Sequence, residues 1–364
     1  MCGTFCTRWV IGFVSNGNPP DPTSAAFDCV LVSETAVDAK HPFAALTPEC
    51  VLDALEGVGL PGDGRLLALN SFENRVYQVG LEDNEAPVVA KFYRPGRWSD
   101  AQILEEHALV ATLAENEIPV VPALRHGGAT LHTHADFRFS VFPRQGGRAP
   151  DLDRADVLQW LGRFLGRIHA YGAVTPYQFR PSLNIDTFGV EPRTWLLDHA
   201  FIPEDLRPAW SSVVEQALEG VRRGFERAGA VRSLRLHGDC HGGNILWTDK
   251  GPHFVDFDDS RTGPAIQDLW MLLSGDRSEM TAQLTQILSG YEDFFEFGEN
   301  ELYLIEPLRT LRLIHYSAWL ARRWDDPAFP AAFPWFNTQR YWQDRVLELR
   351  EQIALMDEAP LWSI

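Results

Sequence analysis

The stretch of sequence that decides the fold reads Leu-Arg-Leu-His-Gly-Asp-Cys-His-Gly-Gly-Asn-Ile-Leu-Trp over residues 234–247 and Val-Asp-Phe-Asp-Asp over residues 255–259. Asp239 follows an apolar segment and stands beside a glycine, so we expect it on a tight loop. Asn244 comes shortly afterwards, and Asp256 ends a second apolar run. This pattern predicts a short hairpin that brings the three polar side chains together.

Two carboxylates and an amide at one hairpin are the parts that phosphoryl transfer requires. One carboxylate can accept the proton of an attacking hydroxyl, and we predict this role for Asp239. Amide and carboxylate oxygens are ligands that a hard cation such as Mg²⁺ prefers, so Asn244 and Asp256 would share the cation. The stretch therefore predicts a site that holds Mg²⁺ and nucleotide phosphates beside a base.

A lysine inside an apolar strand is the second unusual feature. Lys91 lies in a predicted strand at residues 88–93, and burying a lysine is costly without an anionic partner. The following predicted helix, residues 99–116, carries Glu106. Kinases use a strand lysine paired with a helix glutamate to hold the α- and β-phosphates, and we predict this pair here. The alternative is a lysine on the solvent face of an edge strand.

The composition is that of a soluble globular protein of two domains. The chain has 364 residues, of which 45% are hydrophobic and 23% are charged. A net charge of −18 argues against a nucleic-acid partner and against attraction to anionic membranes. No apolar run reaches the length of a membrane-spanning helix. The five cysteines form no CxxC pair, so we expect a reduced, cytoplasmic protein.

Three segments are predicted along the chain. Residues 1–41 contain a cluster of Asn, Gly and Pro and show no sustained period, so we expect a disordered or loosely attached extension. Residues 42–143 contain the strand-like segments and would form an N-terminal lobe. Residues 144–364 would form a helical C-terminal lobe, with Pro-Arg-Gln-Gly-Gly at 143–147 as the hinge. Further predicted helices span 153–171, 207–228, 278–295, 300–324 and 339–356, and 173–205 is predicted to be irregular.

These motifs resemble the aminoglycoside phosphotransferase and choline kinase superfamily. His-Gly-Asp at 237–239, Asn244 and Asp256 match its H-G-D-x-x-x-x-N loop and its metal-binding aspartate. The resemblance is closest to one branch, the bacterial stress response kinases, and it covers about residues 42–356. The phrases that match this branch are LNSFENRVYQ at 69–78, KFYRP at 91–95, QILEEH at 102–107 and GPAIQDLWMLL at 263–273.

The resemblance implies an α+β fold of the bilobal protein-kinase type, with an antiparallel sheet and one main helix in the N-lobe and a mostly helical C-lobe. It also implies ATP and Mg²⁺ as cofactors. Asp239 and Asp256 would be catalytic, and Asn244 would bind the metal together with Asp256. Lys91 and Glu106 would contact the nucleotide.

Three further residues take supporting roles under the same resemblance. Ser71 lies in the loop that would cover the phosphates. His237 would brace the catalytic loop, and Asp268 would hydrogen-bond this loop from below.

The branch implies a kinase that phosphorylates serine and threonine in proteins, including itself, and we expect a monomer. The alternative is a kinase of small molecules such as aminoglycosides, choline or homoserine. For a cationic substrate of that kind, the chain offers a possible aromatic and acidic pocket made of Trp319, Trp324, Asp325, Asp326 and Trp335.

Two other interpretations of the motif are weaker. His237, Asp239 and His241 could bind a metal in a hydrolase, but this leaves Lys91 and Glu106 without roles. A pseudokinase would be expected to lack at least one of the catalytic residues, and none is missing.

Overall fold

The structure is a computed structural model that describes residues 41–361. The predicted extension at residues 1–41 lies, apart from its last residue, outside the described part. The first helix, α1 (Pro48–Glu56), has proline at its first position. The Thr47 side chain accepts a hydrogen bond of 3.2 Å from the Cys50 amide and so caps the helix.

A five-stranded antiparallel sheet follows, with the strand order β1-β2-β3-β5-β4. Lys91 lies on the central strand between Val76 and Ser140, so the interpretation of Lys91 as an edge-strand residue is wrong. The residue Lys91 is only 8% exposed. The strands are β1 (Gly62–Ala68), β2 (Arg75–Leu81), β3 (Val88–Phe92), β4 (His132–His134) and β5 (Phe137–Pro143).

One long helix, α2 (Asp100–Glu115), connects β3 to β4. Its start is fixed by a capping box in which Ser99 and Gln102 each accept a hydrogen bond from the backbone of the other. The buried side chains of Leu109 and Leu113 belong to the larger of two hydrophobic cores, which lies mainly in the helical region. The smaller core lies between the sheet and α1. The helix therefore fastens the sheet to the rest of the chain.

The helical region confirms most of the predicted helices. The helices at 207–228 and 339–356 have the predicted bounds, whereas the segment 300–324 divides into a 3₁₀ turn and a helix. The segment 173–205, predicted to be irregular, contains a helix at its end. The helices are α3 (Ala155–Gly172), α4 (Glu191–Asp198), α5 (Arg207–Ala228), α6 (Ile266–Trp270), α7 (Arg277–Tyr291), α8 (Ile305–Ala321), α9 (Ala328–Ala332) and α10 (Gln339–Met356).

Two short sheets position the catalytic motif. Strands β6 (Leu234–Arg235) and β9 (Thr262–Gly263) pair with each other, as do β7 (Ile245–Thr248) and β8 (Gly251–Phe254). The β7–β8 pair is the predicted hairpin. The α+β architecture is therefore confirmed, with an N-terminal antiparallel sheet and a mostly helical remainder. The exact boundary between lobes at residue 143 stays a prediction.

Within residues 41–361, every helix is too short or too polar to cross a bilayer.

Candidate active site

The loop that carries Asp239 is held by a buried carboxylate beneath it. Asp268 accepts hydrogen bonds of 2.8 Å from the backbone amides of His237 and Gly238, as predicted. Its Oδ2 atom also lies 3.0 Å from His169 Nε2, and His169 Nδ1 lies 2.8 Å from the Tyr291 hydroxyl. His169 is thus a packed core histidine. Burial alone would raise the pKa of Asp268, but these hydrogen bonds and charges lower it.

Gly238 allows the loop to turn at this point. Its φ of 88° is in the left-handed region, which side chains other than glycine rarely adopt. A Cβ atom there would also overlap the backbone carbonyl of Asp259. The His-Gly-Asp sequence therefore has a steric reason for its glycine.

Two side chains donate hydrogen bonds to backbone carbonyls and so hold the Asp239 loop against the segments on either side of the hairpin. Asn244 Nδ2 donates to the Asp239 carbonyl at 3.0 Å, and His237 Nε2 donates to the Val255 carbonyl at 2.9 Å. Because the Asn244 amide nitrogen is engaged, its oxygen is the atom left for a cation. Asp256 has a left-handed backbone with φ of 60°, and its side chain is 54% exposed. Such a conformation costs an aspartate about 1 kcal/mol and is common at functional sites.

The Asp239 carboxylate meets two basic side chains. Its Oδ1 atom lies 2.8 Å from Arg312 Nη2, which the sequence did not indicate, and its Oδ2 atom lies 3.6 Å from His241 Nε2. The other ring nitrogen of His241 accepts from the Gly243 amide at 2.9 Å, so Nε2 carries the proton in the neutral ring. Burial lowers the pKa of His241. Asp239 thus remains partly accessible between a cation and a neutral donor.

Lys91 contacts aspartates and not the predicted glutamate. Its Nζ atom lies 2.9 Å from Asp256 Oδ1 and 3.2 Å from Asp258 Oδ1. Among the described residues it forms no ion pair with Glu106, so the predicted pair is wrong in this structure. Burial alone would lower the pKa of Lys91, but the two aspartates outweigh burial and raise it. The reason for the difference is proximity, because Asp256 and Asp258 follow β8 and approach β3 directly.

Glu106 is buried in the neighbourhood of Lys91. It is 5% exposed, and burial raises its pKa to about 7, although Arg180 and Lys91 act in the opposite direction. Its role in nucleotide binding stays a prediction. The adjacent Glu105 has a different task, because its carboxylate accepts backbone hydrogen bonds from the loop at residues 178–180.

Asp258 is a site residue that the sequence reasoning missed. It is 3% exposed and forms ion pairs with Lys91 and Arg97. Burial alone would raise its pKa, but Arg97 and Lys91 lower it to about 2. The signal was present in the sequence, since Asp258 is the second acid of the Asp-Phe-Asp motif. Asp258 is therefore a second, buried carboxylate that pairs with Lys91, in addition to Asp256.

Ser71 lies between β1 and β2 in a loop, residues 69–74, that is fastened to the same cluster. Its hydroxyl donates to the Asn74 carbonyl at 3.1 Å, which is a contact within the loop. Asn74 Nδ2 donates to Asp258 Oδ2 at 3.1 Å, and Asn74 Oδ1 accepts from the Arg94 amide at 3.1 Å. The structure therefore places the loop over the segment that carries Asp256 and Asp258.

Five residues form what we call the loop–helix ion network, in which the sheet region meets α8 and the segment after it. Asp326 lies 3.1 Å from Arg75 and 2.6 Å from Arg94. Glu73 lies 2.6 Å from Arg323. Trp319 also donates its indole N–H to Glu73 at 2.5 Å.

Three of the five side chains that we predicted for a cation-binding pocket are engaged with other residues of the chain. The side chain of Asp326 is 2% exposed and is already paired with two arginines. Trp319 packs edge-on against Phe329 and binds Glu73. Trp324 packs against Phe336 in the core. These three side chains are therefore engaged within the chain, whereas Asp325 and Trp335 of the predicted pocket are exposed.

The residues around Asp239 are better suited to Mg²⁺ bound together with nucleotide phosphates than to the metal ion of a hydrolase. Asn244 and Asp256 offer two oxygen ligands, and Mg²⁺ is usually bound by one or two protein oxygens together with phosphates and water. Both nitrogens of His237 face backbone groups, so His237 is engaged as a brace. In residues 41–361 there is no cluster of three or more His, Cys, Asp or Glu that could hold a metal. The metallohydrolase interpretation therefore has no support here.

Similar sequences identify the family of the chain. The sequence matches the phosphotransferase enzyme family over residues 65–305. It is 46% identical to the serine/threonine protein kinase RdoA of Salmonella typhimurium (strain LT2) over 89% of this chain and 98% of that protein. It is also 46% identical to stress response kinase A of Escherichia coli (strain K12), over 88% of this chain and 96% of that protein.

Solved structures share the fold at low sequence identity. The amicoumacin kinase hAmiN in complex with AMP-PNP, Ca²⁺ and Ami has a TM-score of 0.66 and 19% identity, covering 86% of this chain and 94% of its own. A microcompartment-associated aminopropanol kinase has a TM-score of 0.64 and 19% identity, covering 84% of this chain and 96% of its own. The match across 65–305 and the identity with full-length relatives lead to one conclusion: this chain belongs to the phosphotransferase enzyme family.

Proposed function

We propose that the protein is an ATP- and Mg²⁺-dependent serine/threonine protein kinase of the stress response type, with Asp239 as the base. The observation that carries the proposal is the convergence of Lys91, Asn244 and Asp256 near Asp239. Asn244 bonds to the Asp239 carbonyl and to the Val255 amide, and the next residue, Asp256, pairs with Lys91. The naming of one relative as a serine/threonine protein kinase supports the choice of acceptor. Cytoplasmic location, a monomeric state and phosphorylation of its own chain belong to the same proposal.

Each site residue has a task in this reaction. Asp239 would accept the hydrogen bond of the acceptor hydroxyl and take up its proton as the new P–O bond forms. The oxygens of Asn244 and Asp256 would hold Mg²⁺, which supplies positive charge to the phosphates when bound. Asp268 keeps the backbone of the Asp239 loop fixed. The chain thus positions the reactants more than it activates them.

Lys91 would change partners when nucleotide binds. In this structure its ammonium lies between Asp256 and Asp258. We propose that phosphate oxygens replace Asp256 as its partner, while the buried Asp258 keeps the ammonium in place. Asp256 is then available for the metal.

The alternative is a kinase of small molecules, and the solved structures with the same fold favour it. Those structures are described as kinases of amicoumacin and aminopropanol, at 19% identity. Against a cationic substrate stands the engagement of Asp326 and Glu73 by arginines. These two acids are therefore not available to a cation, which favours a protein acceptor.

The test is transfer of labelled γ-phosphate from Mg·ATP to a generic protein substrate, compared with aminoglycosides, choline and homoserine. We expect label on the protein and on the kinase itself. Label on a small molecule alone would keep the reaction but overturn the protein acceptor. An Asp239→Asn variant assayed in parallel would show whether the label depends on this site.

The replacement Lys91→Ala is expected to raise the KM for ATP by about tenfold to a hundredfold, because one charge-assisted contact to the phosphates is worth about 1.5–3 kcal/mol. Steady-state kinetics at saturating acceptor measure this effect. Lys250→Ala is the matched control, since Lys250 is exposed at the β7–β8 turn. An unchanged KM for ATP in Lys91→Ala would contradict the role given to this lysine.

A further inference from the structure

We propose that Arg312 is a specificity-determining residue that makes the acceptor site favour a hydroxyl flanked by carboxylates, as in an acidic peptide segment. The inference rests on the proposed protein kinase function, because it specifies the acceptor of that same site. It adds a residue on α8, far from the catalytic motif in sequence, to the residues that decide which substrate is phosphorylated.

The first support is the position of Arg312. Its Nη2 atom lies 2.8 Å from Asp239 Oδ1, so any acceptor that reaches the base also reaches the guanidinium. The side chain of Arg312 is 29% exposed, and that of Asp239 is 23% exposed. Both side chains are therefore partly accessible to an incoming molecule.

The second support is the unused hydrogen-bonding capacity of Arg312. A guanidinium has five N–H donors in a planar fork that matches a carboxylate. Within residues 41–361, Arg312 forms the ion pair with Asp239 and no further hydrogen bond or ion pair. The remaining donors can bind an anionic group of the acceptor while Arg312 keeps Asp239 Oδ1. The acceptor hydroxyl can then use Oδ2.

The third support is the repulsion that a cationic acceptor would meet beside Asp239. Asp326 is paired with Arg75 and Arg94, and Glu73 is paired with Arg323. A cationic acceptor would approach Asp239 against the like charge of Arg312. A neutral or anionic acceptor meets no such repulsion. Arg312 therefore places a positive group beside the base although the whole chain carries a net charge of −18.

The experiment compares two synthetic serine peptides of equal length, one with glutamates and one with lysines on both sides of the serine. The ratio of their kcat/KM values is measured for the full-length protein with Mg·ATP. Because both values come from the same preparation, the ratio is independent of the folded fraction. We expect the wild-type protein to favour the glutamate peptide about tenfold or more, on the scale of one charge-assisted hydrogen bond.

Four variants test whether Arg312 causes this preference. Arg312→Gln is expected to bring the ratio close to one, Arg312→Glu to invert it, and Arg312→Lys to retain much of it. Arg309→Gln is the matched control, because Arg309 lies on the same helix and pairs with Glu306 at 3.0 Å. It should keep the wild-type ratio.

The outcomes separate this inference from the proposed function. Transfer to both peptides without a charge preference, or a preference that Arg312→Glu leaves unchanged, overturns the inference alone. Transfer to neither peptide by the wild-type protein overturns the proposed function, and the inference with it.

Discussion

Replacing Asp239 with asparagine is expected to lower the rate of phosphoryl transfer about 10²–10⁴-fold, which is the usual contribution of a positioned general base. Asparagine has nearly the same shape and keeps an oxygen that can accept from Arg312, but it cannot take up a proton. Binding of Mg·ATP should be nearly unchanged, because Asp239 faces the acceptor and not Lys91.

Two measurements separate chemistry from binding in this variant. The transfer rate is measured with labelled γ-phosphate, and nucleotide affinity is measured by calorimetry. Asp249→Asn is a suitable control, since Asp249 is exposed at the turn of the same hairpin. A variant at position 239 with more than about a tenth of the wild-type rate would disprove the role of Asp239 as the base.

Replacing Asp268 with asparagine is expected to lower the free energy of unfolding by about 2–5 kcal/mol. The two oxygens of Asp268 accept from His237, Gly238 and His169, and an amide has only one oxygen to offer. At least one buried N–H would lose its partner and face an N–H donor. Activity should fall as well, because the same contacts hold the loop of Asp239.

Thermal unfolding provides the measurement, and a shift of this size corresponds to a fall of roughly 5–15 °C in Tm. Asp276→Asn is the matched control. Asp276 caps α7 at the surface, and asparagine is as good a cap as aspartate, so its Tm should hardly change. If Asp268→Asn unfolded at the wild-type temperature, the buried carboxylate would not be a main support of the loop.

The sequence alone was sufficient to predict the elements that have a strong local pattern. Helix α5 (Arg207–Ala228) has an apolar stripe at helical spacing throughout its length, and its bounds were predicted correctly. Helix α4 (Glu191–Asp198) was missed, because it is short and follows a π-helical turn in an aromatic segment. Short elements of this kind are fixed by packing against neighbours such as α8, and the local sequence carries little sign of it.

In the candidate site too, groupings that depend on local spacing were predicted, and contacts between distant segments were missed. Asp239, Asn244 and Asp256 lie on one hairpin, so their grouping followed from local spacing. The partner of Lys91 could not be derived in this way. Charge pairing between distant segments leaves no periodic signal, and Glu106 and Asp258 are both acids at plausible positions. Arg312, 73 residues after Asp239 in the chain, was missed for the same reason.

The loop–helix ion network has a consequence for how such proteins can diverge. Asp326 belongs to the second half of the chain and serves Arg75 and Arg94, which belong to the first. Recombination with a distant homologue near residue 143 would separate this carboxylate from both arginines and leave it buried without a counter-ion. We therefore expect the two halves to be inherited as a matched pair, with substitutions at these three positions occurring together among descendants.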